Sequence, residues 1–136
     1  MLGKIKTWMV LGAGTLVLLV VVFWPDRSVI VPGERVGKYR LRQPWVSHQS
    51  SYVVPATEGL ILTFTQEHLE IISVLDEKYH TAEGLRIGTT TNSLISAYGK
   101  PDRIDGEFWY YDMRGLELLC RTGAVSLINV SSPTNR

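Results

Sequence analysis

Apolar and polar residues sort this chain into three unequal stretches: an unbroken apolar run near the start, a middle of short aliphatic bursts, and a final stretch whose periodicity is clear. That final stretch, Thr81 to Val130, predicts one complete supersecondary unit. In Gly84-Leu85-Arg86-Ile87-Gly88 two glycines bracket a short extended piece, and the second can take backbone angles that other residues avoid. Thr89, Thr90 and Thr91 then offer hydroxyls to the first free amides of a helix. Leu94, Ile95 and Tyr98 share a face at helical spacing, and Gly99 followed by Pro101 supplies a stop, so a helix is predicted over 91–98. At about two turns such a helix does not persist alone, and a sheet must cover its apolar face.

The residues that follow predict that sheet. Glu107 to Asp112 contains Phe108, Trp109, Tyr110 and Tyr111, which suits a pleated, partly buried strand. Met113-Arg114-Gly115 turns the chain, Leu116 to Arg121 forms a second strand, Thr122-Gly123 turns it again, and Ala124 to Val130 forms the third. Strict alternation in this last strand puts Val125, Leu127 and Asn129 on one side and Ala124, Ser126, Ile128 and Val130 on the other. Turns this short imply an antiparallel meander.

An earlier segment repeats parts of this outline. Gly33-Glu34-Arg35-Val36-Gly37 matches Gly84 to Gly88 at an offset of 51, and Glu58-Gly59-Leu60-Ile61-Leu62 answers Arg114-Gly115-Leu116-Glu117-Leu118 at an offset of 56. A further aliphatic strand follows each, Leu69 to Val74 in the first case and Val125 to Val130 in the second. Where the helix should recur, Arg40 to Trp45 has no helical periodicity and Pro44 interrupts it, so the first copy is expected to lack its helix. Ser47 to Ser51 reads as loop, and Tyr52 to Val54 as a short strand ended by Pro55.

The apolar run lies at the start of the chain. From Ile5 to Trp24 is 20 residues, which at the helical rise covers about 30 Å, the thickness of a bilayer's hydrocarbon core. Trp8 and Trp24 stand near its ends, and Lys4 and Lys6 precede its uncharged part, Thr7 to Trp24, which predicts a cytoplasmic N-terminus and a folded part on the far side of the membrane. A cleaved signal peptide shares the basic start, but the exit Val22-Phe23-Trp24-Pro25 lacks the small residues that cleavage needs. The sole cysteine, Cys120, lies far downstream, so no acylation site follows the run.

Charge narrows the partners. Two of the 14 basic residues precede the run, leaving 12 against 13 acidic ones beyond it, and that balance argues against nucleic acid. One cysteine permits no internal disulfide, and Cys120 reads as a small buried hydrophobe. His48, His68 and His80 have spacings that match no metal motif. Asp102 to Glu107 gathers three carboxylates without the alternating ligands of a calcium loop, and reads as a solvated turn. No Gly-x-Ser-x-Gly elbow and no lysine-bearing phosphate loop occurs, so no catalytic residue, cofactor or metal is assigned and no enzyme is expected. Arg35, Lys38, Arg40 and Arg42 form the one basic concentration, which reads as a charged edge strand. Among the aromatics, Trp109, Tyr110, Tyr111 and Trp45 are the candidate anchors of a protein interface, while Gly33, Gly37, Gly84, Gly88, Gly99 and Pro101 are structural turn positions.

The glycine-bracketed approach, the short helix closing in Tyr98-Gly99-Lys100-Pro101 and the meander resemble a group of small exported modules, those of the beta-lactamase inhibitor protein fold and the BamE/SmpA-type assembly proteins of the bacterial envelope. The resemblance covers residues 31 to 130 loosely and Gly84 to Pro101 closely. It implies a module that binds other proteins, and because its motifs are structural no functional residue carries over. The chain departs from it in having a membrane span in place of a lipid and in lacking the first helix.

These readings together predict an α+β protein, with an N-terminal single transmembrane helix followed by a small extracytoplasmic domain of antiparallel meander strands with one short helix, built as a degenerate tandem repeat. Residues 1–6 would be cytoplasmic, 7–24 the anchor, 25–32 a linker, 33–80 the first repeat, 81–131 the second and 132–136 a tail. The expected function is that of an accessory or assembly subunit in the inner membrane, binding other membrane or envelope proteins, with the lipid bilayer contacted through 7–24. A domain that binds or senses a small apolar ligand or lipid is the alternative.

Overall fold

The computed structural model describes residues 27–44, 51–53 and 58–134. Their architecture is two sheets and one helix. The larger sheet has seven strands: β4 (Ser51–Val53), β5 (Leu60–Thr65), β6 (His68–Val74), β8 (Arg103–Asp105), β9 (Phe108–Tyr111), β10 (Leu116–Arg121) and β11 (Ala124–Ser131). They lie in the order β4-β5-β6-β11-β10-β9-β8, with every neighbouring pair antiparallel. The smaller sheet runs β3-β2-β1-β7, from β1 (Val29–Val31), β2 (Arg35–Val36), β3 (Tyr39–Arg40) and β7 (His80–Thr81), with β1 and β7 parallel.

The single α-helix, α1, spans Thr91–Tyr98. Its N-cap is Thr90, whose hydroxyl accepts from Ser93 N at 3.2 Å, and Gly99 N donates back to Ile95 O to close the last turn. Leu94 and Tyr98 are buried, whereas Ile95 is exposed and leaves the apolar face the spacing assigned it. One face of the large sheet supplies the rest of the core through Leu60, Leu62, Leu69, Ile72, Leu118 and Ile128, and Ile30 and Val36 of the small sheet close the cluster. Burying side chains of this size contributes about 1.5–3 kcal/mol each, which is what holds so short a helix and strands of two residues in place.

The α+β expectation is corrected: eleven strands against one eight-residue helix and a 3-10 turn (Asp112–Arg114) make the described protein mostly β. The stretch Asp102 to Glu107, read as a turn, contains strand β8, and the small sheet has strands too short to show a period. No helix among the described residues is long and apolar enough to cross a membrane, and the predicted anchor 7–24 lies outside them.

Strict alternation in the last strand is also corrected. Leu119 pairs with Leu127 but Cys120 pairs with Val125, so Ser126 is an extra residue. This bulge resets the alternation and puts Val125, Ile128 and Val130 together in the core, while Leu127 turns to the other face.

The predicted turn glycines Gly33, Gly37, Gly84, Gly88 and Gly99 all have positive φ. Gly33 also meets a neighbour: a Cβ there would lie 2.8 Å from Pro133 Cγ and 3.0 Å from Arg114 O. Gly115, at φ 65°, faces it so closely that its own Cβ would lie 2.8 Å from Gly33 Cα and would overlap the Ser131 carbonyl. These two glycines are where the small sheet's first turn is pressed against the end of the large sheet.

Candidate functional site

Three clusters of side chains stand out, and each is placed by a different part of the fold. The first is the face of the large sheet turned away from α1. Because the core takes one side of each strand, the other side presents Ile61 and Ile71 from β5 and β6, Leu127 from β11, Leu119 from β10, and Phe108 and Tyr110 from β9, all partly exposed. None of the six belongs to the core cluster or packs against it. Phe108 and Tyr110 rings lie 6.4 Å apart, and the Arg103 guanidinium stacks 3.4 Å over Tyr110 while its Nε reaches Asp112 Oδ2 at 3.4 Å. Beside them Arg103, Tyr110, Asp112 and Glu117 line a small polar cleft of about 140 Å³. Asn129, on the same face, donates to Glu117 Oε1 at 3.3 Å, while its own Oδ1 is buried without a partner among the described residues.

The second cluster is a groove of about 310 Å³ between the small sheet and the start of β5, lined by Arg27, Lys38, Tyr39, Glu58, Lys78 and Tyr79 among others. Tyr39 OH donates to Glu58 Oε2 at 3.3 Å, and Lys38 Nζ lies 3.7 Å from Glu58 Oε1 and 5.2 Å over the Tyr39 ring. Lys78 Nζ stands 5.2 Å over the ring of Tyr79. Burial, then the carboxylates of Glu58 and Asp76, push the Tyr79 phenol up to about 12. The same burial, with Glu58, raises that of Tyr39. Both phenols are therefore protonated donors at neutral pH, set beside cationic side chains.

The third cluster lies beneath α1. Tyr98 OH donates to Glu83 Oε2 at 2.9 Å and shares a 2.7 Å hydrogen bond with Thr81 Oγ1, which in turn accepts from Leu85 N at 3.1 Å. The Arg114 guanidinium sits 4.6 Å over the Tyr98 ring. Burial pushes the Tyr98 phenol up to about 12, against the lowering effect of Thr81. Glu83 is held below its usual carboxylate range by hydrogen bonding to its own backbone and then to Tyr98. Thr81 is completely buried, so this network ties β7 to the helix rather than facing a ligand.

Of the sequence-predicted anchors, Tyr110 lies on the open face. Trp109 points to the other side and packs against the core. Tyr111 is corrected to a core residue, 3% exposed, whose hydroxyl donates to Gly99 O at 2.8 Å. Trp45 lies outside the described residues. Phe108 and Leu119 were not singled out by the sequence, although Phe108 and Tyr110 stand two apart in a strand and so had to share a face. Among the described residues no three of His, Cys, Asp and Glu converge as a metal site would require. His68 Nδ1 contacts Gln66 O at 2.8 Å and His80 Nδ1 contacts Lys78 O at 3.4 Å, while His48 lies outside the described residues. Cys120 packs against the core, and burial pushes its thiol up, so it stays protonated. No family model, curated protein or solved structure matches this chain.

Proposed function

We propose that this protein is a membrane-tethered binding module that receives another membrane or envelope protein on the open face of its seven-stranded sheet. The observation that carries the reading is the cluster of partly exposed Leu127, Leu119, Phe108 and Tyr110 on the adjacent strands β11, β10 and β9, on the side that the core does not use, with Ile61 and Ile71 beyond a polar strip of Ser73 and Asn129. Leu127, Leu119 and Phe108 lie directly opposite one another across these strands, and the cluster is bordered by Glu117, Asn129 and Arg103, the composition of a docking surface with aromatic anchors and a polar border. The tether is the apolar run 7–24, with the folded part on the non-cytoplasmic side as Lys4 and Lys6 predict. Tethering raises the local concentration of any partner in the same membrane, so a modest apolar face is sufficient.

Site-specific photo-crosslinking in intact cells tests this. A photoreactive residue at Tyr110 or Leu127 is expected to give a discrete adduct with another membrane protein, and the same residue at Ser96, exposed on α1, none. Equal adducts from all three positions, or none from the sheet face, would overturn the reading.

The Lys38, Lys78, Tyr39 and Tyr79 groove favours a second reading, in which the domain holds a small ligand with an anionic head and an apolar body. Native mass spectrometry of gently extracted protein separates the two: a retained small molecule lost in Lys38→Glu supports the groove, and its absence from both forms removes it.

A further inference from the structure

We infer that the free edge of the large sheet pairs two copies of this chain, β8 against β8, about a two-fold axis through Ile104. Strand β8 ends the strand order, and among the described residues nothing pairs with its outer side. Such an edge presents unpaired backbone groups to any strand that fits. The fit is set by three side chains. Arg103 and Asp105 stand two apart and so share one face, while Ile104 points to the other and is 57% exposed.

Antiparallel pairing centred on Ile104 puts Arg103 of each copy directly opposite Asp105 of the other, and Ile104 opposite Ile104. The tripeptide is therefore complementary to itself in this register. A shift of one residue would carry Ile104 to the charged face, which pins the register. Pro101 before the strand and the turn at Gly106 after it limit the ladder to this segment.

The charges are available for the role. The Asp105 carboxylate has no hydrogen-bond or ion-pair partner among the described residues, unlike that of Asp112, which contacts Arg103, and that of Glu107, which is 2.8 Å from Arg121 Nε. Arg103 contacts Asp112 through Nε at 3.4 Å and stacks on Tyr110, and an arginine fork has further donors with which to take a second carboxylate. The contact is isologous, so it closes at two copies. It is independent of the docking reading: a dimer would simply join two open faces into one broad sheet.

The test uses the full-length chain in detergent or nanodiscs. Asp105→Arg sets Arg103 against an arginine of the second copy, and Arg103→Asp sets two acidic residues against each other; each is expected to weaken self-association roughly tenfold or more. Mixed in equal amounts the two variants present Arg-Arg to Asp-Asp, and are expected to form a heterodimer within about threefold of the wild-type affinity. Ile104→Cys in a Cys120→Ser background should oxidise to a covalent dimer. A wild type that is monomeric at all concentrations, single variants that dimerise undiminished, or a mixture that fails to associate while both variants melt cooperatively would each overturn the inference.

Discussion

The hairpins β5–β6 and β10–β11 are built alike to a degree that sets off the places where they differ. At a constant offset of 56 residues, Leu60, Leu62, Leu69, Ile72 and Val74 correspond to Leu116, Leu118, Val125, Ile128 and Val130, and all ten are buried. Each pair of strands carries one bulge: Glu70 is skipped between Thr63↔Ile71 and Phe64↔Leu69 as Ser126 is between Leu119↔Leu127 and Cys120↔Val125. Even the incoming chain is held alike, with Arg42 N donating to Leu69 O and Gly88 N to Val125 O, both at 2.7 Å. The hairpins then diverge in what surrounds them. Beside β10 lie the aromatic strand β9 and the exposed edge β8, and Thr90 leads into α1; beside β5 lies β4, and Pro44 takes the place of Thr90. The shared frame thus carries unlike surroundings, and the two hairpins differ most on the β9 side.

The largest effect expected from breaking this comparison is at the glycines that open the two hairpins. Gly59 and Gly115 both have positive φ, and Leu75 N and Ser131 N donate to their carbonyls at the same 2.9 Å. Their neighbours differ: a Cβ at Gly59 would meet the Asp76 side chain at 2.5 Å, whereas one at Gly115 would strike the backbone of Ser131 and Gly33. The Asp76 atom is its Cβ, which moves only with its own backbone, but at Gly115 two separate backbones would have to give way and one of them would be overlapped. Gly59→Ala is expected to cost about 2 kcal/mol and Gly115→Ala clearly more, measured by chemical denaturation. The reverse order would mean that the second hairpin's end is the looser one.

Next in size is the network found only on the helix side. The Tyr98 phenol, about 12 when folded against 10.0 as an ordinary tyrosine, keeps its proton where the unfolded chain has lost it. Its contribution is thus fully present below pH 10 and is lost as pH rises toward 12. That loss amounts to roughly 2–3 kcal/mol. Tyr98→Phe should lose about 1 kcal/mol at neutral pH through its two hydrogen bonds, and its stability should fall less steeply above pH 10. Equal alkaline slopes in the two proteins would show that Tyr98 is not the group responsible.

The span of α1 and the 56-residue offset were both legible in the sequence, because a cap, a helical spacing and a glycine-leucine strand start are local signals. The bulges were not: Glu70 and Ser126 differ from their neighbours in nothing but the partner they lack, and partners are tertiary. The Gly33 to Gly37 match at offset 51 misled for the same reason, since the residue hydrogen-bonded as Gly88 is bonded proves to be Arg42, with a positive φ of 65°. In β8, Asp102-Arg103-Ile104-Asp105-Gly106-Glu107 has the composition of a turn, and only pairing with β9 makes it a strand. The open face was half legible. Alternation gave Phe108 and Tyr110 a common side, but which side the core takes depends on where α1 packs.

The smallest effect, and the most direct comparison of the two hairpins, is at their tips. Both turns have two residues with positive φ, Gln66 at 50° and Glu67 at 62° in the first, Thr122 at 50° and Gly123 at 76° in the second. The first hairpin thus holds a side chain in the left-handed region where the second has glycine, a conformation that costs a non-glycine residue roughly 1 kcal/mol. Glu67→Gly should therefore stabilise the protein and Gly123→Glu destabilise it, each by about 1 kcal/mol less the entropy that glycine adds to the unfolded chain. Thermal unfolding of the two variants, singly and combined, should give shifts of opposite sign that cancel in the double variant, since the tips share no contact and distant changes add. If both changes destabilise, the Glu67 side chain has a role at its tip that outweighs its strained backbone, and the two hairpins part company at their turns as well as in what flanks them.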